Sequence, residues 1–205
     1  MSRRVMLGGP GAAGAAPAFR ANGFVVEVLS KRAAAELIEA DAAGIRYTLV
    51  HVGPDDGEAE GSYARAHHRV SDGEVTALAE KLRSRERPLV TCLAFAYKNG
   101  LPKDATWLVD VRFLDNPYWV EELRPLTGRD QAVAEFVLSQ PAAAQLLDRL
   151  EATLRWAIPL YQRDEITIAF GCTGGRHRSV VVAEEMARRL SRLDGIEVEF
   201  KARDL

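Results

Sequence analysis

The chain has 205 residues, 47% of them hydrophobic and 27% charged, which describes a soluble globular protein of one large or two small domains. Net charge is -2, with 12 basic and 12 acidic residues in the first 87 positions and 15 against 17 in the rest. A general nucleic-acid binder would show a basic excess somewhere, and none appears at this scale. No apolar run approaches the roughly 18 residues of a membrane span. The two arginines at the start lead into too short an apolar stretch for a secretory leader, so a cytoplasmic location is expected. Cys92 and Cys172 make neither a disulfide framework nor a zinc spacing, and no metal or cofactor is expected.

Residues 4–7 read as a strand, 12–21 as a weak helix with Pro17 inside it, and 24–29 as a second strand. Ser30 can cap a helix running to residue 42, with Gly44 just past its end. Residues 47–52 read as a third strand and 53–57 as a turn cluster. A helix over 75–82 closes this part. The charged run 81–87 before Pro88 is either a domain boundary or a charged helix end. His67 and His68 are too isolated for a metal site and read as a solvated loop.

The second part opens with an apolar strand over 89–96 and another over 106–113, then the turn-rich loop Leu114-Asp-Asn-Pro-Tyr-Trp119. Helices are expected over 132–138 and 142–157; in the latter Leu146, Leu147, Leu150, Leu154 and Ile158 recur at helical spacing. A buried strand over 166–170, a helix over 180–193 and a strand over 196–202 follow. Cys92 reads as core, and Trp107, Trp119 and Trp156 as packing residues, with Trp119 a candidate for a pocket mouth. The fold class is α/β: two small α/β domains with mostly parallel sheets, residues 1–87 and 88–205.

The most informative stretch is Gly171-Cys-Thr-Gly-Gly-Arg-His-Arg-Ser179, between the 166–170 strand and the following helix. Strand, glycine turn and helix N-terminus make an anion site, because the first N–H groups of a helix lack intrahelical partners and its dipole is positive there. Gly174 and Gly175 let the backbone approach a ligand. Thr173 and Ser179 add hydroxyls, Arg176 and Arg178 can grip a phosphate bidentately, and His177 adds charge below about pH 6.5. Asp110 and Arg112, at a strand end, either contact a ligand or pair with each other. Arg124 is either a structural ion pair or a ligand group.

Cys172, Gly175, Arg178 and Ser179 also resemble the Cys-x-x-Gly-x-x-Arg-Ser/Thr loop of cysteine-dependent phosphatases. That resemblance implies Cys172 as nucleophile, Arg178 as phosphoryl holder and Asp115 as candidate acid. Gly171 stands where those enzymes usually have His.

A longer likeness contains the same residues. The stretch from Leu101 to Gly128, through Trp107-Leu-Val-Asp-Val-Arg-Phe-Leu-Asp-Asn-Pro-Tyr-Trp119, resembles the C-terminal domain of the RapZ/YvcJ family. So do Gly171 to Glu185 and the ending Ala202-Arg-Asp-Leu205, and the likeness covers about residues 88–205. It implies a regulatory or sensor protein binding an amino-sugar phosphate, nucleotide sugar or nucleotide. By that likeness Thr173, Gly174, His177 and Arg178 line the pocket. Asn99, next to Lys98 in Tyr97-Lys-Asn-Gly100, stands where a family member has a ligand-contacting His. The family also implies RNA or a regulatory protein as partner, and a homo-oligomer. From Arg176 onward, however, seven basic residues face six acidic ones, too small a surplus for tight RNA binding by a monomer.

Family members carry an N-terminal kinase-like domain with a Walker loop. Here Gly8-Gly-Pro-Gly-Ala-Ala-Gly-Ala-Ala16 has the glycines without the lysine or hydroxyl, which argues against ATP hydrolysis. The order of residues 1–87 also resembles a response-regulator receiver, but Val50-His-Val-Gly53 lacks the phosphoacceptor Asp. Three readings follow for the whole: a phosphometabolite sensor, a cysteine-dependent phosphatase and an RNA-binding adapter.

Overall fold

The computed structural model describes residues 3–54, 61, 63, 65–85, 87–161 and 164–205. Positions 55–57 of the expected turn cluster lie outside the described residues. The chain divides into two compact units. Unit 1 holds the described residues up to Pro88 together with Asp164 and Glu165; unit 2 holds Leu89–Tyr161 and Ile166–Leu205. Each contains one four-stranded parallel sheet, as the α/β reading requires. Among the described residues no helix is long and apolar enough to cross a membrane.

Unit 1 runs β1 (Arg4–Gly8), α1 (Ala12–Ala21), β2 (Val25–Val28), α2 (Ala33–Ala42), β3 (Thr48–Val52), β4 (His68–Val70) and α3 (Val75–Arg83), with sheet order β2-β1-β3-β4. Successive residues of a strand point to opposite faces. Val5, Leu7, Val50 and Val52 therefore meet α1 and α3 through Phe19, Leu78 and Leu82. Met6 and Leu49 meet α2 through Leu37 on the other face. Fully burying a side chain of this size contributes about 1.5–3 kcal/mol.

Three expectations need correction here. The second helix begins at Ala33 and not at Ser30, because Ser30 spends its hydroxyl and N–H on Glu36 and takes the Arg32 N–H on Oγ at 3.1 Å. β4 is absent from the sequence reading, since three residues, His-Arg-Val, carry no periodicity to detect. His67 and His68 are not in a solvated loop. His67 Nδ1 accepts the Leu49 N–H at 2.9 Å, and His68 Nε2 lies 2.7 Å from Glu165 Oε1.

Unit 2 runs β5 (Leu89–Ala96), β6 (Trp107–Asp110), α4 (Gln131–Leu138), α5 (Pro141–Ala157), β7 (Glu165–Cys172, in unit 2 from Ile166), α6 (Arg178–Leu190) and β8 (Glu197–Ala202), with sheet order β6-β7-β5-β8. All three helices pack on one face, where Val90, Cys92, Ile166, Ile168 and Phe170 meet Val133, Leu147, Leu154, Val180 and Met186. Leu93, Phe95 and Ala169 form a smaller cluster on the other face. Burial pushes the Cys92 thiol up to about 12, in keeping with a core residue. The strand expected over 106–113 stops at Asp110, because the chain turns at Val111, whose N–H still reaches the Gly171 carbonyl at 3.0 Å. Of the three tryptophans expected to pack, only Trp107 meets the core; Trp119 and Trp156 are 76% and 70% exposed.

Candidate functional site

Because the unit 2 sheet is parallel, the carboxyl ends of β5, β6, β7 and β8 share one edge, the place where open α/β sheets bind ligands. β5 delivers Tyr97–Asn99, and β6 leads into Asn116 and Tyr118. β7 delivers Thr173 to Arg178, and β8 delivers Asp204. A cavity of about 300 Å³ opens there, lined by Lys98, Asn116, Tyr118 and the segment Cys172, Thr173, Gly174, Arg176, His177 and Arg178. Three of these side chains are cationic, and none of the described lining residues carries a carboxylate.

The glycines explain the shape of the loop. A Cβ on Gly171 would run into the Phe95 ring and meet Tyr97 at 2.5 Å. The position taken by His in cysteine-dependent phosphatases is thus closed to any side chain here. Gly175 has φ of 69°, and a Cβ there would meet Ala96 and Asp204 at 2.9 Å. Gly174, in contrast, has no described residue beyond its chain neighbours within 4 Å of its Cβ position.

The helix begins two residues before the expected residue 180, so Arg178 and Ser179 belong to its first turn. Arg178 is only 6% exposed. Its Nη1 donates to the carbonyls of Arg112 and Leu114 at 2.8 and 2.9 Å, which fixes the guanidinium. Its Nε is buried without a partner among the described residues. The guanidinium is thus held at one end, with an Nε–H that no described residue satisfies. Ser179 is fully buried, with Oγ 3.2 Å from Cys172 Sγ, so its hydroxyl serves the thiol.

Arg176 and His177 act partly as clamps. Arg176 Nε and Nη2 donate to the carbonyls of Leu126 and Pro125 at 3.0 and 2.6 Å. His177 Nε2 lies 2.8 Å from the Leu126 carbonyl, which can only accept, so Nε2 carries the proton. Gly128 lets this segment approach: its N–H reaches the Arg176 carbonyl at 2.8 Å, and a Cβ there would sit 2.6 Å from the His177 carbonyl. Burial, and the nearby Arg176 and Arg178, hold His177 below its usual 6.5 against the opposing pull of the Leu126 bond. Its expected charge is therefore withheld until lower pH.

The remaining candidates lie off the cavity wall. Asp110 and Arg112 pair with each other, with Nη2 2.6 Å from Oδ2. That bond holds the Asp110 carboxyl below the usual range, and the Arg112 guanidinium lies 3.9 Å from the Tyr97 ring centre. What Arg112 gives the site is its carbonyl, under Arg178. Asn99 Nδ2 donates to Asp204 Oδ1 at 2.9 Å, while Asp204 Oδ2 accepts the Ala96 N–H at 2.7 Å. Asp115 is exposed, tied through its N–H to Gln140 Oε1 at 2.8 Å, and is not among the lining residues. Arg124 Nε donates to the Tyr118 carbonyl at 3.0 Å. Sequence reasoning missed Asn116 and Tyr118. Their signal was the turn-rich loop after β6, and within that loop the neighbours Asp115 and Trp119 drew attention instead.

Comparison with known proteins gives the same stretch of chain. The family model of the RapZ C-terminal domain matches residues 88–205. A nucleotide-binding protein of Acidothermus cellulolyticus is 53% identical over 122 residues, 56% of this chain and 39% of that protein. A nucleotide-binding protein of Thermobifida fusca is 48% identical over 127 residues, 60% of this chain and 43% of that one. A third, from Nocardioides sp., is 50% identical over 119 residues, 57% and 39%. The match thus spans about two fifths of the length of these curated relatives.

Proposed function

Since the chain belongs to the RapZ family through a RapZ C-terminal domain, we propose that unit 2 is a sensor domain binding a phosphorylated metabolite. The ligand class is an amino-sugar phosphate, a nucleotide sugar or a nucleotide. The observation that carries this is Arg178: nearly buried, anchored through Nη1 on two carbonyls, with an Nε that no described residue meets, on the wall of a cavity whose described lining residues carry no carboxylate. The phosphate rests on the N-terminus of α6, where no acidic residue occupies the first turn. Lys98 adds charge from the opposite loop and Tyr118 offers a ring face to the sugar or base. The "nucleotide-binding" names of the relatives agree with this ligand class.

A phosphatase reading has one observation in its favour, Cys172 on the cavity wall beside Ser179. The carboxylic acid that the phosphatase pattern calls for is not among the described lining residues: Asp115 lies off that wall. Binding of RNA or a regulatory protein would be the output of the sensor, with several copies gathering their weak patches.

The test is calorimetric titration with glucosamine 6-phosphate, UDP-N-acetylglucosamine and ATP, for wild type and Arg178→Ala. At least one probe binds wild type, and the variant loses roughly 1.5–3 kcal/mol, the scale of a hydrogen bond to a charged group. Equal affinity in the two proteins contradicts the proposal. Phosphate release from an aryl phosphate that disappears in Cys172→Ser would promote the enzyme reading.

A further inference from the structure

One wall of the unit 2 cavity is held by residues that do not line it. β8 runs parallel to β5 with Ala202 beside Ala94, and the Arg203 N–H continues the pairing onto the Ala94 carbonyl at 3.0 Å. The register therefore carries Arg203 and Asp204 to the end of β5, where the Tyr97–Asn99 turn with Lys98 begins.

Both residues close on that turn. Asp204 Oδ2 accepts the Ala96 N–H at 2.7 Å and Oδ1 accepts from Asn99 Nδ2 at 2.9 Å, so one carboxylate grips the turn at its entry and at its last residue. Arg203 Nη2 donates to the carbonyls of Gly100 and Ala96 at 2.7 and 3.3 Å, and its Nε donates to Asp204 Oδ2 at 3.0 Å. The guanidinium also lies 5.5 Å from the Phe95 ring centre. On its other side Asp204 meets the glycine loop: a Cβ on Gly175 would sit 2.9 Å from the Asp204 Cβ. Burial opposes the charge of Asp204, but the bonds from Asn99, the Ala96 N–H and Arg203 outweigh it and hold the carboxyl below its usual range.

The turn's own backbone ties are a bond from the Gly100 N–H to the Tyr97 carbonyl at 3.1 Å and a long one from the Lys98 N–H to Thr173 at 3.5 Å. Lys98 lines the cavity, and its ammonium has no partner among the described residues. A lysine on a loose turn gives up both backbone and side-chain freedom when it meets an anion; a fixed turn leaves only the side chain to order. By charge alone, a carboxylate near an anion site weakens binding, and its removal tightens it. Fixing the turn acts in the opposite direction.

We propose that Asp204, oriented by Arg203, is a positioning residue of the unit 2 site: it fixes the Tyr97–Asn99 turn so that Lys98 is presented to the ligand's phosphate. This rests on the phosphate-binding reading of the cavity.

Two measurements on the full chain test it. Without ligand, amide relaxation reads the turn: in Asp204→Ala the order parameters of Lys98 and Asn99 fall while those of α6 stay at wild-type values. With ligand, calorimetry uses glucosamine 6-phosphate, UDP-N-acetylglucosamine and ATP. Asp204→Ala weakens the probe that binds wild type by about three- to tenfold. Asp204→Asn keeps an acceptor for the Ala96 N–H, and the Asn99 amide can turn its oxygen to the new NH2 group, so this variant binds no more weakly than wild type. In a Lys98→Ala background, Asp204→Ala changes affinity by less than about twofold, because the residue it acts through is gone. Unchanged order parameters, an Asp204→Ala protein that binds as tightly as wild type or tighter, an Asn variant as weak as the Ala variant, or an equal loss in the Lys98→Ala background each overturns the proposal. Wild type that binds none of the three probes contradicts the phosphate reading itself and the proposal with it, whereas wild type that binds alongside an equally tight Asp204→Ala contradicts the proposal alone.

Discussion

The two glycine turns, Gly9–Gly11 in unit 1 and Thr173–His177 in unit 2, occupy the same place in the same local architecture: after a parallel strand, before a helix, at the carboxyl edge of a sheet. They are furnished in opposite ways. The unit 2 turn is ringed by Lys98, Arg176 and Arg178, with no carboxylate among the described lining residues. The unit 1 turn has an acid, Asp72, against Gly11, and its own residues Gly9-Pro-Gly11 carry no charge. Each glycine also answers to a different neighbour. Gly171 is required by the rings of Phe95 and Tyr97, whereas no described residue outside α1 lies within 4 Å of the Gly14 Cβ position. The backbone device alone therefore names no ligand. Side chains delivered from the other strand ends decide what each turn can hold, and in unit 1 the turn's own N–H groups at Gly11 and Ala12 are already taken by the Val52 and Gly9 carbonyls.

The sharpest way to break this contrast is at the glycines themselves. Gly171→Ala forces a methyl group into the Phe95 ring and lowers unfolding free energy by about 1–3 kcal/mol, the usual cost of overpacking. Gly14→Ala, in an open helical position, raises it by about 0.5–1 kcal/mol. Urea denaturation of both variants checks the pair. Equal changes of the same sign would show that the two glycines are not distinguished by their surroundings.

Much of this was legible in the sequence because local rules governed it. Residues 12–21 are helical despite Pro17, and the strand, turn and helix around 171–179 follow from apolar run, glycines and charge. What stayed hidden depends on long-range partners. No local pattern shows that Arg178 reaches the carbonyls of Arg112 and Leu114, 66 and 64 positions away, or that Asn99 is bonded to Asp204. The Gly171 substitution looked like a departure from a phosphatase motif; only the rings on β5 and beyond it give its cause. Asp110 and Arg112 were open between ligand and mutual pairing, and they pair.

A smaller effect sharpens the contrast by pH. His177, folded, holds its pKa below 6.5, so the unfolded chain takes up its proton first as pH falls. The stability it contributes is complete above about pH 6.5 and declines as pH drops through the folded pKa. His177→Asn removes that segment of the pH–stability profile. Identical profiles for variant and wild type between pH 7 and 5 would contradict the assignment. The smallest effect expected is at the Asp110–Arg112 pair, which is exposed: Asp110→Asn changes stability by about 0–1 kcal/mol. It leaves phospho-ligand affinity unchanged within a factor of about two, since a change of that size is only about 0.4 kcal/mol.

The central claim is that the unmet Nε of Arg178 is the donor for the ligand's phosphate. Proton–nitrogen NMR of arginine side chains reads that atom directly, with its resonance assigned by Arg178→Lys. Titration with the phospho-ligand that calorimetry identifies shifts the Arg178 Nε–H signal downfield in step with binding. A signal that stays in place while calorimetry records saturation would contradict the account.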